Sequence, residues 1–170
     1  MPPPDRSLLV RPARPEEAAV IGELVARVFV EGGFTPPERT ARLRDTASRT
    51  AAGIVFVAAD DAGTLLGSIA LVPGGGADVR IATGDEAEMQ LLAVLPEARG
   101  RGAGAALVEA FLAEARARGY RRTVLSTQPA MTSAHRIYAA AGFTRAPERD
   151  WTRDSGKPMW AYVREESAGA

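Results

Sequence analysis

The sequence predicts an α/β chain whose mixed β-sheet carries helices on both faces. Apolar runs of strand length alternate with segments whose apolar residues recur at helical spacing. Glycine, proline and aspartate clusters separate the two kinds of segment. With 170 residues, 46% hydrophobic and 25% charged, the chain is expected to form one domain with an ample core.

Leu8-Leu9-Val10 reads as a short strand, stopped by Pro12. Pro15-Glu16-Glu17 opens a helix, since proline fits a first turn and the acids suit the positive end of the dipole. Its apolar face is Val20, Ile21, Leu24, Val25 and Val28, and Glu31 to Thr35 breaks it. Pro36 to Arg49 reads as a second, polar helix whose arginines form a solvated face. Ile54 to Ala59 and Thr64 to Val72 are strands joined by the hairpin turn Asp60-Asp61-Ala62-Gly63. A flexible stretch from Pro73 to about Asp85 precedes the strand Glu88 to Val94.

Pro96 to Gly102 is a turn, and Ala103 to Arg118 is an amphipathic helix with Leu107, Val108, Phe111, Leu112 and Ala115 on one side. Gly119 is placed to end it. Arg122 to Thr127 is a strand, Met131 to Ala141 a helix closed by Gly142, and Phe143-Thr144 and Met159 to Val163 the last strands. Met1 to Arg6 and Glu166 to Ala170 read as tails.

Composition narrows the function classes. The chain has 21 basic and 21 acidic residues, a balance that argues against nucleic-acid binding. It has no cysteine, which removes disulfides, thiolate metal sites and a cysteine nucleophile. A histidine-based metal site needs several ligands and the chain has a single histidine, His135, so no metal is expected. No run is long enough to span a membrane, and the start lacks an apolar export segment, so a cytoplasmic location is expected.

Arg99-Gly100-Arg101-Gly102-Ala103-Gly104 stands between a strand and a long helix. Glycines at 100, 102 and 104 let backbone N–H groups converge on an anion, and the helix dipole adds positive potential. Arg99 and Arg101 add charge. A ligand-free glycine turn is the bland alternative. Gly100-x-Gly102-x-x-Ala105 also fits a dinucleotide fingerprint, but the following strand, Thr123 to Thr127, has no acid to hold a ribose. A Walker loop is excluded for want of Gly-Lys-Ser/Thr.

Val94-x-Pro96 with Arg99-x-x-Gly102-x-Gly104 resembles the acyl-CoA-binding motif of the GCN5-related N-acetyltransferases. Ala134-x-x-x-Tyr138-x-x-x-Gly142-Phe143 is similar to that family's second signature. The resemblance is strong from Ile54 to Phe143 and extends to the flanks by element order. It implies a mostly antiparallel sheet of six to seven strands, a splayed central strand pair and about four helices on the two faces. It also implies acetyl-CoA as donor, without a metal. The amides of Gly100, Arg101, Gly102, Ala103 and Gly104 would hold its pyrophosphate, with Arg99 alongside. Leu92, Ala93 and Val94 would lie along the pantetheine arm, with Thr127, Ser133 and Tyr138 completing the cofactor-binding set.

Transfer of an acyl group to an amine needs a proton donor for the thiolate and a sink for the amine's proton. The resemblance makes Tyr138 the acid; its bland reading is a packing aromatic. Glu88 is the candidate base, with Glu86 and Asp85 as rivals and a solvated strand end as the alternative. His135 is expected to pack rather than react. Met131 stands where many members carry asparagine, so no asparagine contact is carried over.

The expected acceptor is a small-molecule primary amine. Its pocket should be built from Phe29 to Pro37, Gly74 to Glu86 and Glu148 to Trp160. Asp85, Glu86 and Glu88 near it suggest a cationic amine. A non-catalytic acyl-CoA-binding module and a protein-amine acetyltransferase are the competing readings, and a homodimer stays open.

Overall fold

Alternation along the strands sorts side chains to two sides of one sheet, and the helices cover both. The computed structural model describes residues 8 to 166. The expected tail Met1 to Arg6 lies outside the described residues, as does 167 to 170. Glu166 corrects the other tail. It is buried, and its carboxylate accepts hydrogen bonds from Thr123 Oγ1 at 3.0 Å and from Arg164.

Among the described residues there are eight strands: β1 (Leu9–Pro12), β2 (Ile54–Ala59), β3 (Leu65–Pro73), β4 (Glu86–Val94), β5 (Arg122–Thr127), β6 (Thr144–Arg145), β7 (Trp151–Thr152) and β8 (Pro158–Glu165). The helices are α1 (Ala18–Glu31), α2 (Ala41–Arg44), α3 (Thr46–Ala52), α4 (Ala103–Ala117) and α5 (Thr132–Ala140). The strand order is β1-β2-β3-β4-β5-β8-β6, with β7 paired to β8. Only β4–β5 is parallel; every other pairing is antiparallel.

The sheet has one strand more than expected because the short strand β7 was not visible as a periodic run. The expected helix Pro36 to Arg49 is broken at Asp45, which gives the extra helix. Asp45 leaves helical geometry at ψ 65°, and its carboxylate accepts from Ser48 N–H at 3.2 Å and Ser48 Oγ at 2.6 Å, so it caps α3.

Phe56, Ala58, Ile69 and Leu71 face α4 and α5, where they meet Leu107, Phe111 and Tyr138. Val55, Val57, Ala59 and Ala70 face the other way, onto Ile21, Leu24, Val25 and Leu43. The period of two in β2 and β3 thus serves two apolar layers. The polar segment 36 to 49 is not a simple solvated face. Arg49 is buried, donating to the carbonyls of Arg42 (2.8 Å) and Leu43 (2.9 Å), which are exposed by the break in the helix.

Glu86, at the start of β4, ties the sheet to the turn before β7. Its buried carboxylate accepts from both terminal nitrogens of Arg149 at 2.9 and 2.7 Å, from Thr83 N–H at 2.9 Å and from Arg122 at 3.2 Å. Burial pushes this carboxyl up; Arg149, the Thr83 amide and Arg122 outweigh it and hold it at about 2, against an ordinary 4.5. A carboxyl depressed on folding stabilises fully above its unfolded value and loses that contribution as pH falls through its folded value. Wild type should therefore lose about 3 kcal/mol from this group between roughly pH 5 and pH 2. Denaturant titrations should show Glu86→Gln less stable at neutral pH and with that part of the acid slope missing.

Candidate active site

The parallel pairing of β4 with β5 runs from Glu86↔Arg122 to Met89↔Leu125 and then stops. β4 continues to Val94, so the two strands part in the middle of the sheet. The cause lies on the other edge of β4. Ser68 pairs with Ala93 and Ala70 with Gln90, so Leu91 and Leu92 together oppose Ile69. That is a β-bulge, and it bends the strand. Leu91 sits at φ 52°, the only non-glycine residue with positive φ among the described residues. Leu95 N–H donates to Leu66 O on β3 at 2.9 Å. Backbone polar groups alternate along a strand, so those of Val94 face the opened edge.

An inner cavity of about 70 Å³ occupies this opening, lined in part by Glu88, Leu92, Thr127, Met131 and Tyr138. Ala93 is buried on the α1 side of the sheet, and Ser133 is exposed on the first turn of α5, outside the cavity. Of the residues expected to bind the cofactor, the structure thus brings Leu92, Thr127 and Tyr138 onto one wall.

The glycine segment follows directly from β4. Gly102 caps α4 with φ 82° and ψ 9°, a left-handed conformation that favours glycine. The first helical hydrogen bond is Ala106 N–H to Gly102 O at 3.0 Å. The amides of Ala103, Gly104 and Ala105 therefore have no partner inside the helix and sit at its positive end. Arg99 and Gly100 are exposed beside them, and Arg101 is half-buried. This arrangement can take a pyrophosphate.

The second signature has a structural cause of its own. Gly142, at φ 91°, lets α5 end in a paired cap: Phe143 N–H reaches Tyr138 O at 3.0 Å and Gly142 N–H reaches Ala139 O at 3.1 Å. Phe143 then packs edge-on to Tyr138, with ring centroids 6.1 Å apart. The cap so fixes the Tyr138 ring against the cavity. Burial, and then the neighbouring Tyr162, raise the Tyr138 phenol well above its ordinary value of 10. His135 packs between Trp160 and Tyr162, its Nε2 3.1 Å from Gln128 O and 3.3 Å from Thr127 Oγ1.

Glu88, expected as the base, is already occupied. Its Oε1 accepts from the amides of Ile81 (2.7 Å), Arg80 (3.1 Å) and Ala82 (3.2 Å). Its Oε2 accepts from Arg80 N–H at 2.9 Å and Gln90 Nε2 at 2.6 Å. A carboxylate has about four lone-pair sites, and these five bonds already engage them. It instead pins residues 80 to 82, part of the stretch read as flexible. Glu86, a rival base, is held by Arg149 and Arg122.

An outer cavity of about 400 Å³ adjoins the inner one. Phe34, Arg80 and Trp151 on its wall come from the three segments expected to surround an acceptor. Sequence reasoning missed the fourth contributor, Arg39 to Leu43, because its arginines read as a solvated face. Arg42, Arg80 and Arg153 line both cavities. Burial first, then the charges of Arg80 and Arg153, lower Arg42 to about 10. Of the three acids on which the expectation of a cationic acceptor rested, Glu86 is held by Arg149 and Arg122, Glu88 is held by backbone amides and Gln90, and Asp85 is exposed and lines neither cavity.

Comparison with known proteins agrees with this fold. The chain resembles in fold an acetyltransferase from Streptococcus agalactiae, at 21% identity and TM-score 0.75, covering 95% of this chain and 100% of the other. It likewise resembles yncA of Salmonella typhimurium, solved with its cofactor acetyl-CoA, at 19% identity and TM-score 0.74 over 97% and 98% of the chains. The model of the acetyltransferase (GNAT) family matches residues 20–143, and the chain belongs to that family.

Two curated relatives are similar in sequence. An uncharacterized N-acetyltransferase of Schizosaccharomyces pombe is 37% identical over 91 residues, which is 54% of this chain and 52% of that protein. A mycothiol acetyltransferase of Thermobispora bispora is 35% identical over 150 residues, 84% of this chain and 46% of that protein. The chain spans about half the length of these relatives. Among the described residues no helix is long and apolar enough to cross a membrane, and no group of three or more His, Asp or Glu is placed to hold a metal.

Proposed function

We propose that the chain is an acetyl-CoA-dependent N-acetyltransferase that moves an acetyl group directly to the primary amine of a small molecule. The observation that carries this reading is the parting of β4 from β5 beyond Met89, with the α4 N-terminus following one end of it and Tyr138 on its wall. Family membership and the names of the relatives support it.

The amides of Gly100 to Gly104 with Arg99 and Arg101 would take the pyrophosphate, and the opened edge of β4 at Leu92 and Val94 the pantetheine arm. The bound donor supplies a thioester, whose carbonyl carbon gains a C–N bond to the amine as its C–S bond breaks. Tyr138 donates its phenolic proton to the departing sulfur and is reprotonated by the proton the amine gives up. Its raised pKa keeps it protonated at any working pH. A thiolate in the same water-poor cavity is disfavoured for the same reason, so the proton moves as charge builds on sulfur.

Glu88 and Glu86 are engaged within the protein and Asp85 is exposed and lines neither cavity, so none of the three is assigned as the base. The positive field of Arg42, Arg80 and Arg153 favours the neutral form of an incoming amine instead. Glu88 serves by holding the loop that carries Arg80. Tyr138→Phe should lower kcat by about 10²–10⁴. Calorimetry should find its acetyl-CoA affinity within a few-fold of wild type. Unchanged kcat would remove Tyr138 as the acid.

A further inference from the structure

Several arginines away from the two cavities are matched by carboxylates. Arg27 meets Glu97, Arg44 meets Glu23, Arg145 meets Asp150, and Arg149 meets Glu86, each at 2.7 Å. The cations around the two cavities are different. Arg42 donates to a neutral group, Gln90 Oε1 at 3.3 Å, and Arg153 Nε to the thioether of Met159 at 3.3 Å. Lys157 Nζ donates to the Phe34 carbonyl at 2.9 Å. None of these, nor Arg80, has a carboxylate within ion-pair distance among the described residues.

Five cations line the outer cavity, Arg39, Arg42, Arg80, Arg153 and Lys157, against one carboxylate, Asp154. On the inner wall Arg42, Arg80 and Arg153 face Glu88 alone, whose oxygens are already occupied. Asp78 and Asp45 lie in a separate recess, which Arg42 and Arg80 also touch. Three arginines are thus gathered from α2, from the Glu88-pinned loop and from the turn after β7, at the junction of two cavities. Trp151, whose ring lies under Arg153 at 5.5 Å, adds a buried indole N–H that lacks an acceptor among the described residues.

Holding like charges together is unfavourable, and a bound anion relieves it. Guanidinium groups are suited to this because they present paired donors to carboxylate and phosphate oxygens alike. We propose that the acceptor is a small primary amine bearing an acidic group, a carboxylate or phosphonate, which Arg42, Arg80 and Arg153 hold at the junction of the two cavities. This rests on the N-acetyltransferase reading and narrows it to a substrate class. The acid anchors one end of the acceptor in the outer cavity, and the amine reaches inward to the wall that carries Tyr138.

The test uses a matched series: 4-aminobutyrate, 4-aminobutanamide, butylamine and 3-aminopropylphosphonate, with shorter and longer homologues of each. Binding is measured calorimetrically in the presence of coenzyme A, and N-acetylation separately by product mass. The acidic amines should bind about tenfold to hundredfold tighter than the amides and alkylamines at the best chain length. The better of carboxylate and phosphonate identifies the acid. Arg153→Gln should remove most of that advantage while leaving amide binding unchanged. Arg80→Gln, at an exposed side chain, should do the same and guards against a folding defect in the first variant.

Acidic amines that bind no better than amides across the series would overturn the inference, even if acetyl transfer occurs. An equal loss of acidic and neutral binding in both variants would also overturn it. Selective, arginine-dependent binding without any N-acetyl product would sustain the acidic subsite and refute the transferase reading.

Discussion

Gly102→Asp is expected to weaken acetyl-CoA binding by roughly 100- to 10⁴-fold, the equivalent of two charge-assisted hydrogen bonds at about 1.5–3 kcal/mol each. The substitution puts a negative charge beside the amides of Ala103 to Ala105, where the pyrophosphate is proposed to lie. A Cβ at Gly102 meets nothing within 4 Å, so folding pays only for the left-handed φ of 82°, about 1–2 kcal/mol. Gly102→Ala carries the same strain without the charge and should cost less than tenfold in affinity. Calorimetric titration of both variants, with circular dichroism as the control for folding, separates the two effects. Normal affinity in Gly102→Asp would refute the loop assignment.

Glu88→Gln is expected to act on stability first. The amide would direct a donor at Arg80 N–H and Gln90 Nε2, both of which now donate to Oε2. Arg80 N–H keeps Oε1 as an acceptor at 3.1 Å, so one buried donor, on Gln90, is left without a partner, at a cost of roughly 1–3 kcal/mol. For a chain of this size that lowers Tm by roughly 2–12 °C. The loop carrying Arg80 should loosen, raising KM for an acidic amine more than it lowers kcat. A general base would behave differently: stability intact, kcat reduced, and the acidic limb of the pH–rate profile altered. Thermal melts and a pH–rate profile of the one variant therefore decide which role Glu88 has.

The layers of this fold were legible because their causes are local. The spacing of Leu107, Phe111 and Leu112 reports α4, and the segment Arg122 to Thr127, rich in β-branched residues, coincides with β5. The proposed phosphate-binding loop was legible for the same reason, since Gly100 and Gly102, at φ 81° and 82°, act on their own backbone. Tyr138 could be singled out only through resemblance. Its bland reading as a packing residue and its proposed role turn out to share one device, the Gly142 cap that sets Phe143 against its ring.

The acceptor side was misread because its causes lie far apart in the chain. Glu86 is neutralised by Arg149, 63 residues away, and Arg42 reaches Gln90 across 48 residues. No periodicity carries that information. Arg42 and Arg49 looked like a solvated face because a continuous helix was assumed; the break at Asp45 turns them inward. Glu86 and Glu88 are engaged while Arg42, Arg80 and Arg153 lack a carboxylate partner, and this is why the proposed acceptor is acidic rather than cationic.

Amine-dependent acetyl transfer leaves two products, a free thiol and an N-acetylated amine. The most direct measurement incubates the protein with acetyl-CoA and an amine panel that includes the acidic series, following free thiol and the mass of the amine together. One N-acetylated amine should form for each thiol released, with release accelerated by the amine. Tight acetyl-CoA binding with no acetylated amine, and thiol release indifferent to any amine, would contradict it and leave a non-catalytic acyl-CoA-binding module.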